Sequence, residues 1–436
     1  MFFFFPLSTL ARTILIAGIM LFTLVGIMVR PWKTNEAIVA LIGVAALLLL
    51  GLITPMHAVQ TLLEDWNTFL FFLGMMGLSA LAEVAGFFDW LAAWAARLSG
   101  KSVWRLFLNT FLLGSLISMF LSNDATALIL TPIIYSLVTR LRLPVLPFLF
   151  ACTFIADTAS FLLPVSNPIN IIVLSTSPLD LWTFLRLLLL PSLVVIALNI
   201  LAFFLLYRRQ LSGSFESKRL PSAEESVKHV GYFRYTCMIL LLVALAYVTA
   251  SALRVPLSLV ALLGALALLA GALYWRQSTL RETGKHISWS IFGFIAGMVI
   301  IVRAMEDTNL TALFGQGLLQ LSGGTSLGAI LVGTLGAAVG TNLINNVPMA
   351  VVLTSALHNV HFANDSARLG FIAATILGCD LGPNVTTVGS LATVLWLLIL
   401  RRRNIDVSGL DYFKVGIVVT PIMLLVGAMT IWLLLL

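Results

Sequence analysis

Residues 154–171, FIADTASFLLPVSNPINI, set the strongest constraint on how this chain can fold. The flanking sequence is almost wholly apolar. Yet the segment holds Asp157, Thr158, Ser160, Ser166, Asn167 and Asn170, with Pro164 and Pro168 four residues apart. Proline lacks a backbone donor and pushes its predecessor out of the α region. The pattern predicts a membrane helix broken midway and restarted at Pro168 with Asn167 as its cap. Irregular backbone at membrane depth survives only inside protein or along a wet cavity. Ionisable groups there mark functional sites by default, and a broken helix carrying Asp and Asn is a hallmark of transport sites.

The rest of the chain agrees with a membrane setting. It is 60% hydrophobic and 10% charged, where soluble domains run near a quarter charged. The net charge of +7 reflects basic residues in short loops, which is topology information and not a nucleic-acid footprint. The opening MFFFFPLSTLAR reads as the start of the first span, not as a removed signal. Cys152, Cys237 and Cys379 lie in or beside apolar spans at no metal-ligand spacing. Nothing in this reading requires a cofactor.

Spans of about 20 apolar residues are expected at 13–29, 37–53, 68–86, 150–172 (broken), 184–206, 234–252, 256–274, 288–304, 367–400 (broken) and 412–435. Two more apolar stretches, 104–139 and 326–357, are each split by a polar cluster: Ser122-Asn123-Asp124 in one, Asn342 with Asn345-Asn346 in the other. Their arms are short for full crossings, so re-entrant hairpins are expected. The expectation is an all-α polytopic protein with about ten transmembrane helices and two hairpins. With the 207–233 linker in the cytoplasm, the facing loops gather 20 of the 25 Lys and Arg residues. This positive-inside bias puts both termini outside and does not choose between a hairpin and a pair of crossings.

Internal repetition is visible. Asp157 falls 223 positions before Asp380, and Ser166-Asn167 fall 223 before Gly389-Ser390. Two repeats are therefore expected, 1–206 and 234–436, joined by the linker. Five spans in each make the copies opposite in orientation, an inverted-repeat transporter plan with broken helices at the midplane.

Four helix starts are expected to converge: two after the hairpin tips, capped by Asp124 and Asn346, and two after the breaks, capped by Asn167 and Ser390. Helix N-termini present free N–H groups and partial positive charge. Asp124 is either only a cap or a working carboxylate. Asp157 and Asp380 stand in helix interiors where no cap is needed, which makes them the candidates for carrying protons. Asn123, Asn167, Asn170, Asn345, Asn346, Asn384, Thr387 and Ser390 supply neutral donors and acceptors for a solute. Neither break nor tip holds Lys or Arg, which a multivalent anion would recruit. A neutral hydroxylated solute or a small cation is expected.

SNDATALILTP (122–132), FIADTAS with VSNPINI (154–171), INNVP (344–348) and GCDLGPNVTTVGSLATVLW (378–396) resemble the arsenite permease (arsenical-pump membrane protein, ArsB) family of the ion-transporter superfamily. The resemblance spans nearly the whole chain. It departs from the pattern at Asn384, where a basic residue is common, and at Pro168, where an apolar one is usual. It implies a carrier in a prokaryotic inner membrane that exports arsenite and antimonite as neutral trihydroxides in exchange for protons. It also implies a path lined by Asn123, Asp124, Asp157, Asn346 and Asp380. In some systems such a permease partners a soluble arsenite-stimulated ATPase. Silicic acid efflux and Na⁺/H⁺ antiport are the alternatives on the same fold. An intramembrane aspartyl protease built on Asp157 and Asp380, or a passive channel subunit, are the competing classes. Monomer and homodimer both remain open.

Overall fold

A computed structural model describes residues 8–29, 35–177, 179–216, 220, 227–253, 255–358 and 361–436. Arg30, Lys33, Lys218, Arg219 and Arg254, all used in the charge argument, lie outside the described residues.

The first half runs α1 (Thr9–Val29), α2 (Glu36–Leu49), α3 (Pro55–Glu64), α4 (Trp66–Val84), α5 (Phe87–Leu98) and α6 (Val103–Phe120). It continues with α7 (Asn123–Ala125), a π turn (Thr126–Leu130), α8 (Thr131–Arg140), α9 (Val145–Thr158), α10 (Pro168–Thr176) and α11 (Leu181–Tyr207). The second half runs α12 (Val230–Ala252), α13 (Leu257–Tyr274), α14 (Leu280–His286), α15 (Trp289–Glu306) and α16 (Leu310–Leu321). It ends with α17 (Ser326–Ile344), α18 (Asn346–His358), α19 (Asp365–Leu381), α20 (Leu391–Arg402) and α21 (Gly409–Leu434). Among the described residues nine helices are long and apolar enough to cross a membrane, and none is in a β-strand. The protein is a multi-pass, all-helical membrane protein.

Local chemistry sets most boundaries. Thr54, Ser102, Asp180, Thr325, Asn364 and Ser408 each accept a backbone N–H and open a helix. Expected span 37–53 ends early, at Leu49. The chain then reverses through Gly51, whose φ of 65° suits glycine. The helices α3, α5, α14 and α16 were not among the expected spans. They have 7 to 12 residues, too short for a hydropathy window tuned to crossings.

The repeat is exact in register over its middle. Helices α4, α5, α6, α7 and α10 begin 223 positions before α15, α16, α17, α18 and α20. The halves also exchange partners. A Cβ on Gly74 of α4 would meet the Leu262 backbone of α13 at 2.5 Å, and one on Gly297 of α15 would meet Ala40 of α2 at 2.6 Å. These two glycines are themselves 223 apart, and each lets backbones approach as small residues do in membrane packing. The equivalent helices run in opposite directions. Thr68 at the start of α4 and Glu306 at the end of α15 line one cavity, whereas Glu83 at the end of α4 and Ile291 at the start of α15 line another.

Candidate functional site

Both broken stretches are broken where the sequence predicts. In the first, α9 ends at Thr158, a short 3₁₀ turn covers Pro164–Ser166, and α10 restarts at Pro168. The Asn167 side chain accepts the Ile169 N–H and caps α10. In the second, α19 ends at Leu381, a 3₁₀ turn covers Gly382–Val385, and Ser390 caps α20 by accepting the Ala392 N–H. Asp157 and Asp380 are each one residue from the end of their helix.

The tips differ from expectation in one respect. Ser122, not Asp124, caps the arm after the first tip by accepting the Ala125 N–H. At the second tip Asn345 takes the capping place before Asn346. Its φ is 75°, and its side chain accepts the Val347 N–H at 3.4 Å. The cap stands two residues earlier than predicted at the first tip and one residue earlier at the second. Asp124 and Asn346 are thereby relieved of capping and face inward.

The two carboxylates are held across the repeat. The Asn123 amide donates to Asp157 Oδ1 at 3.0 Å, and the Ser390 hydroxyl donates to the same oxygen at 3.3 Å. The Asn167 amide donates to Asp380 Oδ1 and reaches Ser160 Oγ at 3.4 Å. Each Asp is thus bonded by the cap of the other half's break. Both carboxylates are fully buried, and their Oδ2 atoms have no hydrogen-bond partner among the described residues. An unpaired buried acceptor is costly, which favours a proton or a donor on that oxygen.

Other amides build the breaks themselves. Asn170 donates to the carbonyls of Ser160 and Leu163. Asn384 donates to the Phe154 carbonyl and to Thr158 Oγ1, which Asn199 also reaches at 2.8 Å. Asn342 ties Gly382 to Thr386. Asn170 and Asn384 therefore stand behind the site. Thr387 is half-buried, lies beside Gly409 and does not line the cavity.

A cavity of about 210 Å³ lies in front of these groups, lined by Asn123, Asp124, Asn167, Asn345 and Asn346. Its opposite wall comes from Phe72, Glu36, Ser288, Ser290 and Phe294. Sequence reasoning missed this wall, because its residues sit at helix starts and in unbroken helices without a local signal. No Lys, Arg or His lines the cavity among the described residues. A second cavity of about 270 Å³ shares Phe72, Asp124 and Pro168 with it and extends to Ser79, Glu83 and His286. The arrangement offers carboxylates, amides and helix N-termini to a small polar solute, with no fixed cation.

The citrate transporter family model matches residues 19–377 and 244–436. The arsenical pump membrane protein of Escherichia coli (strain K12) is 30% identical over 414 residues, covering 93% of this chain and 95% of that one. The protein of the same name from Yersinia enterocolitica is 31% identical, covering 81% and 83%. An uncharacterized transporter of Mycobacterium tuberculosis is 28% identical, covering 96% and 98%. The crystal structure of the Alcanivorax borkumensis YdaH transporter superposes with a TM-score of 0.61 at 14% identity, covering 97% of this chain and 98% of that one, which shows a shared fold. With the broken helices and the repeat, these likenesses establish a membrane transporter and not an enzyme: the chain belongs to the arsenical pump membrane protein family.

Proposed function

We propose that the protein exports arsenite and antimonite, as neutral trihydroxides, in exchange for protons. The observation that carries this reading is the cavity wall. It brings Asp124 and Glu36 together with five asparagines, backs them with Asp157 and Asp380, and holds no cationic side chain. Citrate, a multivalent anion, would meet the four carboxylates of Glu36, Asp124, Asp157 and Asp380 and no Arg or Lys, which is unfavourable at membrane depth. A trihydroxide instead offers three O–H donors to carboxylate oxygens and accepts from amides. A volume near 210 Å³ has room for it and a few waters at about 30 Å³ each.

Exchange follows from competition. A bare carboxylate in a low-dielectric core is costly to move. Protonation or the hydroxyl donors of the solute relieve that cost, so the core crosses with one or the other. Asp157 and Asp380 carry protons in this scheme, and Asp124 touches both solute and water. The linker face, which gathers the basic loops, is cytoplasmic.

The test is uptake of radiolabelled arsenite into everted vesicles holding the purified chain alone, with an imposed pH gradient. Uptake should follow the gradient, collapse with a protonophore, and be competed by antimonite. Uptake indifferent to the gradient would overturn the coupling. Competition by Na⁺ or silicic acid, and none by antimonite, would overturn the substrate.

A further inference from the structure

The site cavity lies against the first turns of α15, where Ser290, Ile291 and Phe294 line it. Toward the other end of α15 lies a separate cavity of about 530 Å³, between α3, α4 and α15 on one side and α10 and α18 on the other. It shares no residue with the site cavity. Its lining is nonetheless a copy. Shifting by 223 positions turns its Thr68 into Ile291, its Ile172 into Leu395, its Val302 into Ser79, its Glu306 into Glu83 and its Val351 into Leu128. All five counterparts line the 270 Å³ cavity that joins the site. The two cavities sit toward opposite ends of α15, where Ile291 of one and Glu306 of the other are fifteen residues, or about 22 Å at 1.5 Å per residue, apart.

From this register we infer that the 530 Å³ cavity is the other half of the solute path, the vestibule through which the site communicates with the face opposite the 207–233 linker. The inference rests on the exchange reading above. Three observations support it. The void has room for more than a dozen waters at about 30 Å³ each. Its mouth is polar: Arg303 pairs with Glu64 and with Glu306, and His57 with Asp307 at 3.5 Å. Its lining includes Ser355, 3% exposed, whose hydroxyl has no hydrogen-bond partner among the described residues. A buried hydroxyl without a partner suits a surface that is wetted in use. The Glu83–Glu306 pair keeps its residue type across the repeat, one carboxylate in each vestibule. Arg303 has Ala80 as its counterpart, so the ion-paired mouth belongs to one face alone.

The experiment is one-sided labelling of the full-length protein, with Cys152, Cys237 and Cys379 replaced by Ala. Single cysteines are placed at Ser355→Cys, Val302→Cys, Ser79→Cys and, as a reporter of the linker face, Ser212→Cys. A membrane-impermeant cationic methanethiosulfonate is applied to oriented vesicles from each side in turn. Ser355→Cys and Val302→Cys should label from the face opposite Ser212→Cys, and Ser79→Cys from the same face as Ser212→Cys. Labelling of Ser355→Cys and Val302→Cys from the linker face, or from neither, would overturn the inference. Using two positions on different helices keeps the test valid where one variant fails to fold. The readout needs no transported solute, so an error in substrate identity leaves it unchanged.

Discussion

Asn167 does two separable jobs, and substitution can part them. Its side-chain oxygen caps α10, and its amide donates to Asp380. Alanine removes both. Losing a cap costs about 1 kcal/mol, and losing a hydrogen bond to a charged group costs about 1.5–3 kcal/mol. Serine restores a capping oxygen and still lacks the amide that reaches Asp380. Asn167→Ala should therefore lower both thermal stability in detergent and transport. Asn167→Ser should recover only the capping share, about 1 kcal/mol, and melt between the alanine variant and the parent, while gradient-driven arsenite uptake stays roughly 10- to 150-fold below the parent, the rate equivalent of about 1.5–3 kcal/mol at 1.36 kcal/mol per decade. The assay pairs melting curves with initial uptake rates in everted vesicles. A serine variant that transports like the parent, or that melts like the alanine variant, would refute the division of labour.

Asp157→Asn keeps acceptors for Asn123 and Ser390 and removes the titrating oxygen. It should fold, and its uptake should fall to that of empty vesicles when a pH gradient is the sole driving force. Asp65, at the α3–α4 corner outside the spans, is raised above the usual carboxylate range by burial, partly offset by Arg303. The native state thus holds this proton more tightly than the unfolded chain. Its ionisation lowers stability as pH rises from the unfolded value through the native one. Melting temperatures of Asp65→Asn from pH 4 to 8 should show a smaller decline toward neutral pH than the parent; an unchanged profile counts against the assignment. A Cβ at Gly416 would lie 2.1 Å from the Asn384 carbonyl. Gly416→Ala should cost about 1–3 kcal/mol by overpacking, and an unaltered melt would show that α21 can yield there.

The spans, the two breaks and the 223-residue register were legible in the sequence because each has a local cause. Pro164 and Pro383 sit in the 3₁₀ turns that follow α9 and α19, Pro168 opens α10, and Asn167 and Ser390 cap the helices that follow. The short helices α3, α5, α14 and α16 were not legible, since a stretch of 7 to 12 residues carries no signal of crossing. Asn170, Asn384 and Thr387 show the same limit at the site. Their residue types suit solute contact, yet Asn170 and Asn384 support the breaks and Thr387 lies off the cavity.

The sequence by itself determined that this chain crosses a membrane, breaks two of its helices and repeats, because hydropathy, proline and capping act over a few residues. Only the tertiary structure decided which groups share a hydrogen bond. Ser390 reaches Asp157 across 233 residues and Asn167 reaches Asp380 across 213. These pairs form because α20 packs against α9 and α10 against α19, helices from opposite halves of the chain. The meeting of distant helix ends is a property of that packing, and no stretch of sequence carries it alone.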